Sequence, residues 1–178
     1  TFELTVTLPA GWDAISQGIR ELQERGPAGT RLHFVANDPQ EEIWLVAGPW
    51  IETKQTVDGI EALALLRERD DALAAKYLDA TGPYIAMYSK LLGAYPYTKF
   101  ALVENFWETG YGMPSFTLLG GKVMRLPFIL TSSYPHEILH NWWGNGVYVA
   151  RESGNWSEGL TAYLADHLFA EQKGAGAA

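Results

Sequence analysis

Ser133-Tyr134-Pro135-His136-Glu137-Ile138-Leu139-His140-Asn141-Trp142-Trp143-Gly144-Asn145 is the stretch on which the reading of this chain turns. It contains the pattern H-E-x-x-H, formed by His136, Glu137 and His140. Residues four apart on an α-helix share one face, one turn apart, so the two imidazoles can converge on a single metal ion. Glu137 is rotated by about 100° from His136. That sets it beside such an ion rather than on it, where a carboxylate can take a proton from a bound water. Ser132 or Ser133 can cap the helix, Pro135 suits its first turn, and Gly144 or Gly146 can end it. Ile138, Leu139 and Trp142 supply apolar surface for packing.

A hydrolytic zinc site takes three protein ligands and leaves the fourth position to water. The chain has no cysteine, so the third ligand must be a His, Asp or Glu. Glu158, in Asn155-Trp156-Ser157-Glu158-Gly159-Leu160, is the favoured candidate, because a helix starting there can fold back on the first one. Thr161, Ala162 and Ala165 share its face and are small enough for close approach. Glu152, in the connection, is the weaker candidate. The chemistry that follows is metal-assisted hydrolysis. The ion brings the pKa of its water towards about 7 and polarises a carbonyl, and Glu137 accepts the proton and passes it to the leaving amine. Tyr111, Tyr148 and Tyr163 are oxyanion donors by residue type only.

Composition narrows the field further. At 178 residues the chain holds one domain, or one domain and part of another. A hydrophobic content of 47% excludes a mainly disordered chain. A net charge of −8 without a basic stripe argues against nucleic acid and against a polybasic membrane contact. No apolar run is long enough to span a bilayer. The chain starts at Thr1 without a signal peptide and ends in Gly174-Ala175-Gly176-Ala177-Ala178. It therefore reads as a mature form or a piece of a longer polypeptide, with a frayed tail. The compartment stays open, with a lean to an extracytoplasmic one.

Residues 1–66 read as strands. Phe2, Leu4, Val6 and Leu8 alternate on one face, and further strands are expected over 12–16, 31–36, 42–47, 51–56 and 59–66, the last two as a hairpin around Val57-Asp58-Gly59. Residues 18–30 are ambiguous, with a helical turn around Ile19 and Leu22 broken by Gly26-Pro27-Ala28-Gly29. The pattern changes near residue 67. A helix is expected over 71–92, kinked or split at Gly82-Pro83. Strands follow at 100–106 and 115–119, with a loop at 110–114. A last helix runs from Asn155 or Ser157 to about Glu171, with an apolar stripe of Trp156, Leu160, Tyr163, Leu164, His167 and Leu168. His33 and His167 read as packed histidines, and Trp142 and Trp143 as core and cleft wall.

With these motifs in place, the chain resembles the gluzincin metallopeptidases of the aminopeptidase N type. The resemblance rests on His136-Glu137-x-x-His140-Asn141-Trp142-Trp143-Gly144-Asn145 followed by Asn155-Trp156-Ser157-Glu158-Gly159-Leu160, and on Gly93-Ala94-Tyr95-Pro96-Tyr97-Thr98-Lys99 upstream. It implies an α+β fold, a thermolysin-like zinc peptidase domain with a small mixed sheet and helices carrying the motifs. Residues 67–178 would be the first part of that domain, and 1–66 the end of an N-terminal β domain. It also implies one zinc ion held by His136, His140 and Glu158, Glu137 as general base, a peptide substrate, and aminopeptidase-like cleavage. Substrate contacts are implied for Gly112 and Met113.

The chain departs from the family in three places. The gap between His140 and Glu158 is one residue shorter than is usual. The glutamate that holds a substrate's free amine is replaced by Pro114, with Glu104 and Glu108 the nearby carboxylates. The family's catalytic tyrosine lies beyond the end of this chain. The competing reading is a zinc-binding scaffold or interaction module that keeps the site without turnover.

Overall fold

The computed structural model describes residues 1–150, 152 and 154–174. The expected tail at 175–178 lies outside the described residues. The N-terminal strands form two small antiparallel sheets. One has the order β1-β4-β3, from β1 (Phe2–Leu8), β3 (Ile19–Gly26) and β4 (Gly29–Ala36), and the other pairs β2 (Asp13–Ser16) with β5 (Leu45–Gly48). Residues 18–30 are therefore a hairpin and not a helical turn. The breaker Gly26-Pro27-Ala28-Gly29 is its tip, with Gly29 at φ 141°, and β3 pairs with β4 from Ile19 to Gly26. A row of charged residues disguised this strand, because one of its faces meets solvent.

A five-stranded mixed sheet follows, in the order β6-β7-β8-β10-β9, built from β6 (Ile51–Val57), β7 (Ile60–Leu66), β8 (Lys99–Asn105), β9 (Gly110–Met113) and β10 (Phe116–Gly120). Strands β7, β8 and β10 run parallel, while β6 and β9 are antiparallel edges. The central strands are buried on both faces, which is why they read as continuous apolar runs. Ala62, Ala64, Phe100 and Leu102 pack towards the helices. Leu63, Leu65, Ala101 and Val103 pack towards Ile15, Trp44 and Trp50 of the N-terminal part. A buried, bidentate Arg20–Glu52 pair at 2.6 and 2.9 Å also ties β3 to β6.

The change of pattern at residue 67 is a crossover within one sheet. Helix α1 (Asp71–Leu92) links β7 to its parallel neighbour β8, so β6 and β7 belong to the same sheet as the strands that carry the site. The switch from strand to helix marks a βαβ connection, which a sequence reading cannot tell from a domain edge. Asp70 caps α1 by accepting from the Leu73 N–H at 2.9 Å.

Gly82-Pro83 does not split α1, which runs through as one helix. Pro83 is on the exposed face, as is Asp79, whose carbonyl loses its partner and can meet water. Gly82 allows close packing, since a Cβ there would lie 2.5 Å from Val57 Cγ1.

The expected loop at 110–114 is largely strand β9, paired with β10 from Gly110 to Met113. Its glycines disguised it, and their purpose becomes clear at the site. No described helix is long and apolar enough to cross a membrane.

Candidate metal centre

Helix α2 (Ser133–Leu139) carries the first two candidate ligands. It is shorter than its stop signals predict, ending with His140 as its C-cap, and the His140 N–H still bonds the His136 carbonyl at 3.4 Å. The i, i+4 relation thus survives to the last residue. Beyond it the chain turns sharply. Gly144 adopts φ 92°, and a Cβ there would lie 3.3 Å from His140 Nδ1. The N-cap residue Ser132 makes no capping bond, because its hydroxyl donates to the Phe128 carbonyl at 2.9 Å.

Helix α3 (Trp156–Ala162) brings Glu158 to the same place. It continues through a π-helical turn, Tyr163–His167, into α4 (Leu168–Lys173). The buried face is Ser157, Thr161 and Ala165, the row of small residues that permits close approach. Leu160 and Tyr163, expected on the apolar stripe, are exposed. The docking is fixed by Trp143, whose indole N–H donates to Thr161 Oγ1 at 2.7 Å. Trp142 does the same for α1, donating to the Gly93 carbonyl at 3.0 Å.

Three ligand atoms converge as a result. His136 Nε2 and His140 Nε2 are 3.2 Å apart, and the Glu158 carboxylate straddles them, with Oε2 3.3 Å from His136 Nε2 and Oε1 3.3 Å from His140 Nε2. A tetrahedral ion about 2.0–2.1 Å from each ligand sets its ligand atoms roughly 3.4 Å apart. The two imidazoles are spaced for one such ion, the carboxylate lies beside them, and one ligand atom from each of the three residues falls within 4.8 Å of the others, the group of the described residues able to hold a metal. His140 is further oriented by a hydrogen bond with the Trp143 backbone. Such a bond at one ring nitrogen leaves the other for an ion. Burial pushes the His140 pKa down, His136 adds to this, and Glu158 opposes it. A lowered pKa favours the neutral imidazole that ligation needs. Glu152 is exposed and stands outside the cluster.

Glu137 points into the same cleft of about 520 Å³, which Gly110, Tyr111, Gly112, Asn145 and Ser157 also line. Strand β9 lies directly against its carboxylate. A Cβ on Gly110 would fall 2.6 Å from Glu137 Oε1, and one on Gly112 would fall 2.9 Å from Oε2. A side chain at either position would displace the Glu137 carboxylate from where it lies. Burial pushes the Glu137 pKa up to about 7, the Glu158 charge adds to the shift, and a hydrogen bond with Thr117 opposes it. Thr117 is buried on β10 and pairs with Gly112. Its role escaped the sequence reading, although a threonine inside the apolar run Phe116-Thr117-Leu118-Leu119 is the signal that could have revealed it.

The raised pKa has a consequence for stability. Between an ordinary 4.5 and about 7, folded Glu137 keeps a proton that the unfolded chain has lost. The folded state binds more protons there, so stability of the metal-free protein falls as pH rises through this window. The contribution is about 3 kcal/mol. Urea titrations from pH 4.5 to 7 are expected to show a flatter stability profile for Glu137→Gln than for the parent. Equal slopes would place the Glu137 carboxyl in a wetter environment.

The remaining candidates are dispersed. Met113 turns away from the cleft and packs in the core with Phe116, so only Gly112 of the expected pair faces Glu137. Glu104 accepts from Arg125 at 2.7 Å and from the Arg67 N–H at 2.8 Å. Glu108 accepts from the Lys122 and Val123 N–H groups at 2.8 and 3.3 Å. Both carboxylates are thus committed to other partners. Tyr111 lines the cleft, whereas the Tyr148 hydroxyl donates to the Pro39 carbonyl at 2.8 Å and Tyr163 stacks on His167. His33 is half-buried and bonds Thr5 at 2.8 Å, so it is not a core residue.

No protein-family model matches the chain, and no curated protein matches it in sequence. Solved structures do match in fold. The M1 zinc metallopeptidase from Deinococcus radiodurans superposes with a TM-score of 0.76 at 19% identity, over 99% of this chain and 42% of that one. A variant of it bound to a Tyr-Ser-Ala substrate gives 0.72 at 18% identity, over 99% and 41%. A two-domain M1 zinc metallopeptidase variant bound to L-tryptophan gives 0.76 at 18%, over 99% and 41%. The mixed sheet with its few helices is therefore the fold of part of an M1 zinc metallopeptidase, and the chain spans about two-fifths of the length of the structures it matches.

Proposed function

We propose that this chain carries the metal-binding side of a peptidase active site, with His136, His140 and Glu158 holding one zinc ion and Glu137 acting as general base in peptide-bond hydrolysis. The observation that carries this reading is the convergence of His136, His140 and the Glu158 carboxylate, with nitrogen–nitrogen and nitrogen–oxygen contacts of 3.2–3.3 Å, beside a desolvated carboxylate in the same cleft. The fold shared with zinc metallopeptidases, one of them bound to a peptide substrate, supports it. A zinc ion bound there supplies Lewis-acid chemistry, acidifying a water molecule and polarising a carbonyl. Glu137 accepts the proton at its carboxylate and returns it to the leaving nitrogen.

Substrate orientation falls to β9. It is an edge strand, so the backbone groups on its outer side can pair with an extended peptide. Gly112 keeps that peptide close to the base. The remainder of a longer polypeptide would supply the opposite wall.

The cleft also bears on how the substrate is gripped. Apart from Glu137 and Glu158, no described carboxylate lines it. Among the described residues a substrate's free amine finds no carboxylate of its own, and cleavage is expected not to require one. Turnover of matched peptides by the zinc-loaded full-length polypeptide, with free and acetylated N-termini, tests this. The ratio of kcat/KM is expected to stay within about tenfold, since loss of one charged hydrogen bond alone is worth roughly 10- to 100-fold. A larger preference for the free amine would mean that an anchoring carboxylate does reach the cleft.

A further inference from the structure

One polar arrangement in the core has no part in the chemistry above. Lys99, the first residue of β8, is buried, and its Nζ donates to Ser115 Oγ at 2.5 Å. Among the described residues no carboxylate pairs with it. Glu61 acts on it only at a distance and is itself paired with Lys54.

Ser115 is fully buried at φ 68°, a region where a non-glycine residue is strained. Its N–H donates to Asn141 Oδ1 at 2.8 Å, and its carbonyl accepts from the Ala101 N–H at 3.1 Å. Asn141, the residue after His140, donates in turn to the Ile138 carbonyl at 2.9 Å. One chain of hydrogen bonds thus joins the start of β8, the β9–β10 turn and the end of helix α2.

Two choices in this arrangement are locally unfavourable. Pro114-Ser115 forms a two-residue turn between Met113 and Phe116, with proline first and a positive φ second. Glycine or asparagine is the unstrained residue at that second position. An ammonium buried without a carboxylate is also destabilising beside an apolar side chain of similar size. Burial pushes its pKa down to about 7, with Arg20 adding to the shift and Glu61 opposing it. If the turn needed only to be closed, glycine beside an apolar residue would close it with greater stability. The two choices meet in a single hydrogen bond at the turn that ends β9, the strand whose Gly110 and Gly112 lie against Glu137. Local rules broken together in this way mark a site held for function.

We propose that Lys99 and Ser115 are positioning residues, which together with Asn141 pin the β9–β10 turn to the end of the metal-binding helix and so hold β9 in register with Glu137. They touch no substrate. They act through the strand, keeping its edge where an extended chain must lie beside the base. The catalytic half of this inference rests on the peptidase reading above, while the mechanical half does not.

The test uses the zinc-loaded full-length polypeptide and the double variant Lys99→Met/Ser115→Ala, which removes both polar partners together so that neither is left unpaired. The double variant is expected to melt no lower than the parent and to bind one zinc. Amides of residues 110–119 are expected to exchange at least about tenfold faster, with those of β6 and β7 unchanged. Peptide turnover is expected to fall at least about tenfold, as small misplacements beside a reacting centre do. Unchanged exchange in β9, or turnover within about twofold of the parent, overturns the proposal. A purely structural role would instead lower the melting temperature and spread faster exchange over the whole sheet. Should the double variant not fold, Ser115→Gly relieves the strained φ, removes the hydroxymethyl group that Lys99 bonds, and is read by exchange and turnover alone. If the parent cleaves no peptide, the peptidase reading fails by itself, and the exchange measurement still decides whether Lys99 and Ser115 hold the strand.

Discussion

Replacing Glu137 by Gln is expected to lower peptide turnover by about 10²–10⁴-fold, the range for loss of a positioned general base. The substitution keeps the shape of the side chain and removes its capacity to take a proton. Glu137 is not one of the three converging groups, so bound zinc is expected to stay at one ion per chain. The loss should fall on kcat, since the proton moves only as the peptide bond is attacked. The protein should also be at least as stable near neutral pH, because a neutral amide avoids the desolvation that raises the Glu137 pKa. Steady-state kinetics beside metal analysis separates these effects. A Gln variant that retains both zinc and turnover would remove Glu137 from the mechanism.

The second large effect is expected at the ligands. His140→Ala should lower zinc affinity by more than about a hundredfold, beyond what loss of an outer hydrogen-bonding partner does. His140 is the better anchored imidazole, half-buried and held through the Trp143 backbone, so little else can move into its place. Glu158 is more exposed, with half of its side-chain surface accessible, and approaches from a separate helix. Glu158→Gln should weaken binding as well, and turnover in both variants should fall with occupancy. Competition titration with a zinc chelator measures this. Unchanged affinity in His140→Ala would place the ion elsewhere.

The convergence of His136, His140 and Glu158 was legible because it depends on helix period and on a return helix with a small-residue face. Each is a local property of the chain. Beyond the hairpin of β6 and β7, what could not be read was which strands are neighbours. The edge position of β9, and hence the meaning of Gly110 and Gly112, follows from the order β6-β7-β8-β10-β9. A G-Y-G-M-P run reads as a loop until Glu137 is seen lying against it. Strand β3 was ambiguous for a different reason, since charges along an exposed strand face resemble those of a surface helix, although its partner β4 was expected over 31–36. Glu104 and Glu108 looked available as amine anchors because nothing in the sequence predicts Arg125 or the backbone N–H groups that occupy them. Lys99 belonged to the recognised Tyr-Pro segment, yet its partner Ser115 is 16 residues away and is brought to it by the parallel pairing of β8 with β10.

Peptide hydrolysis by the full-length polypeptide, followed by mass spectrometry of the products as zinc is removed and restored, tests the central claim most directly. Cleavage is predicted to stop when a chelator strips the ion and to return with one equivalent of zinc per chain. A polypeptide that holds one zinc on His136, His140 and Glu158 and cleaves no peptide would contradict that claim and leave a zinc-binding scaffold.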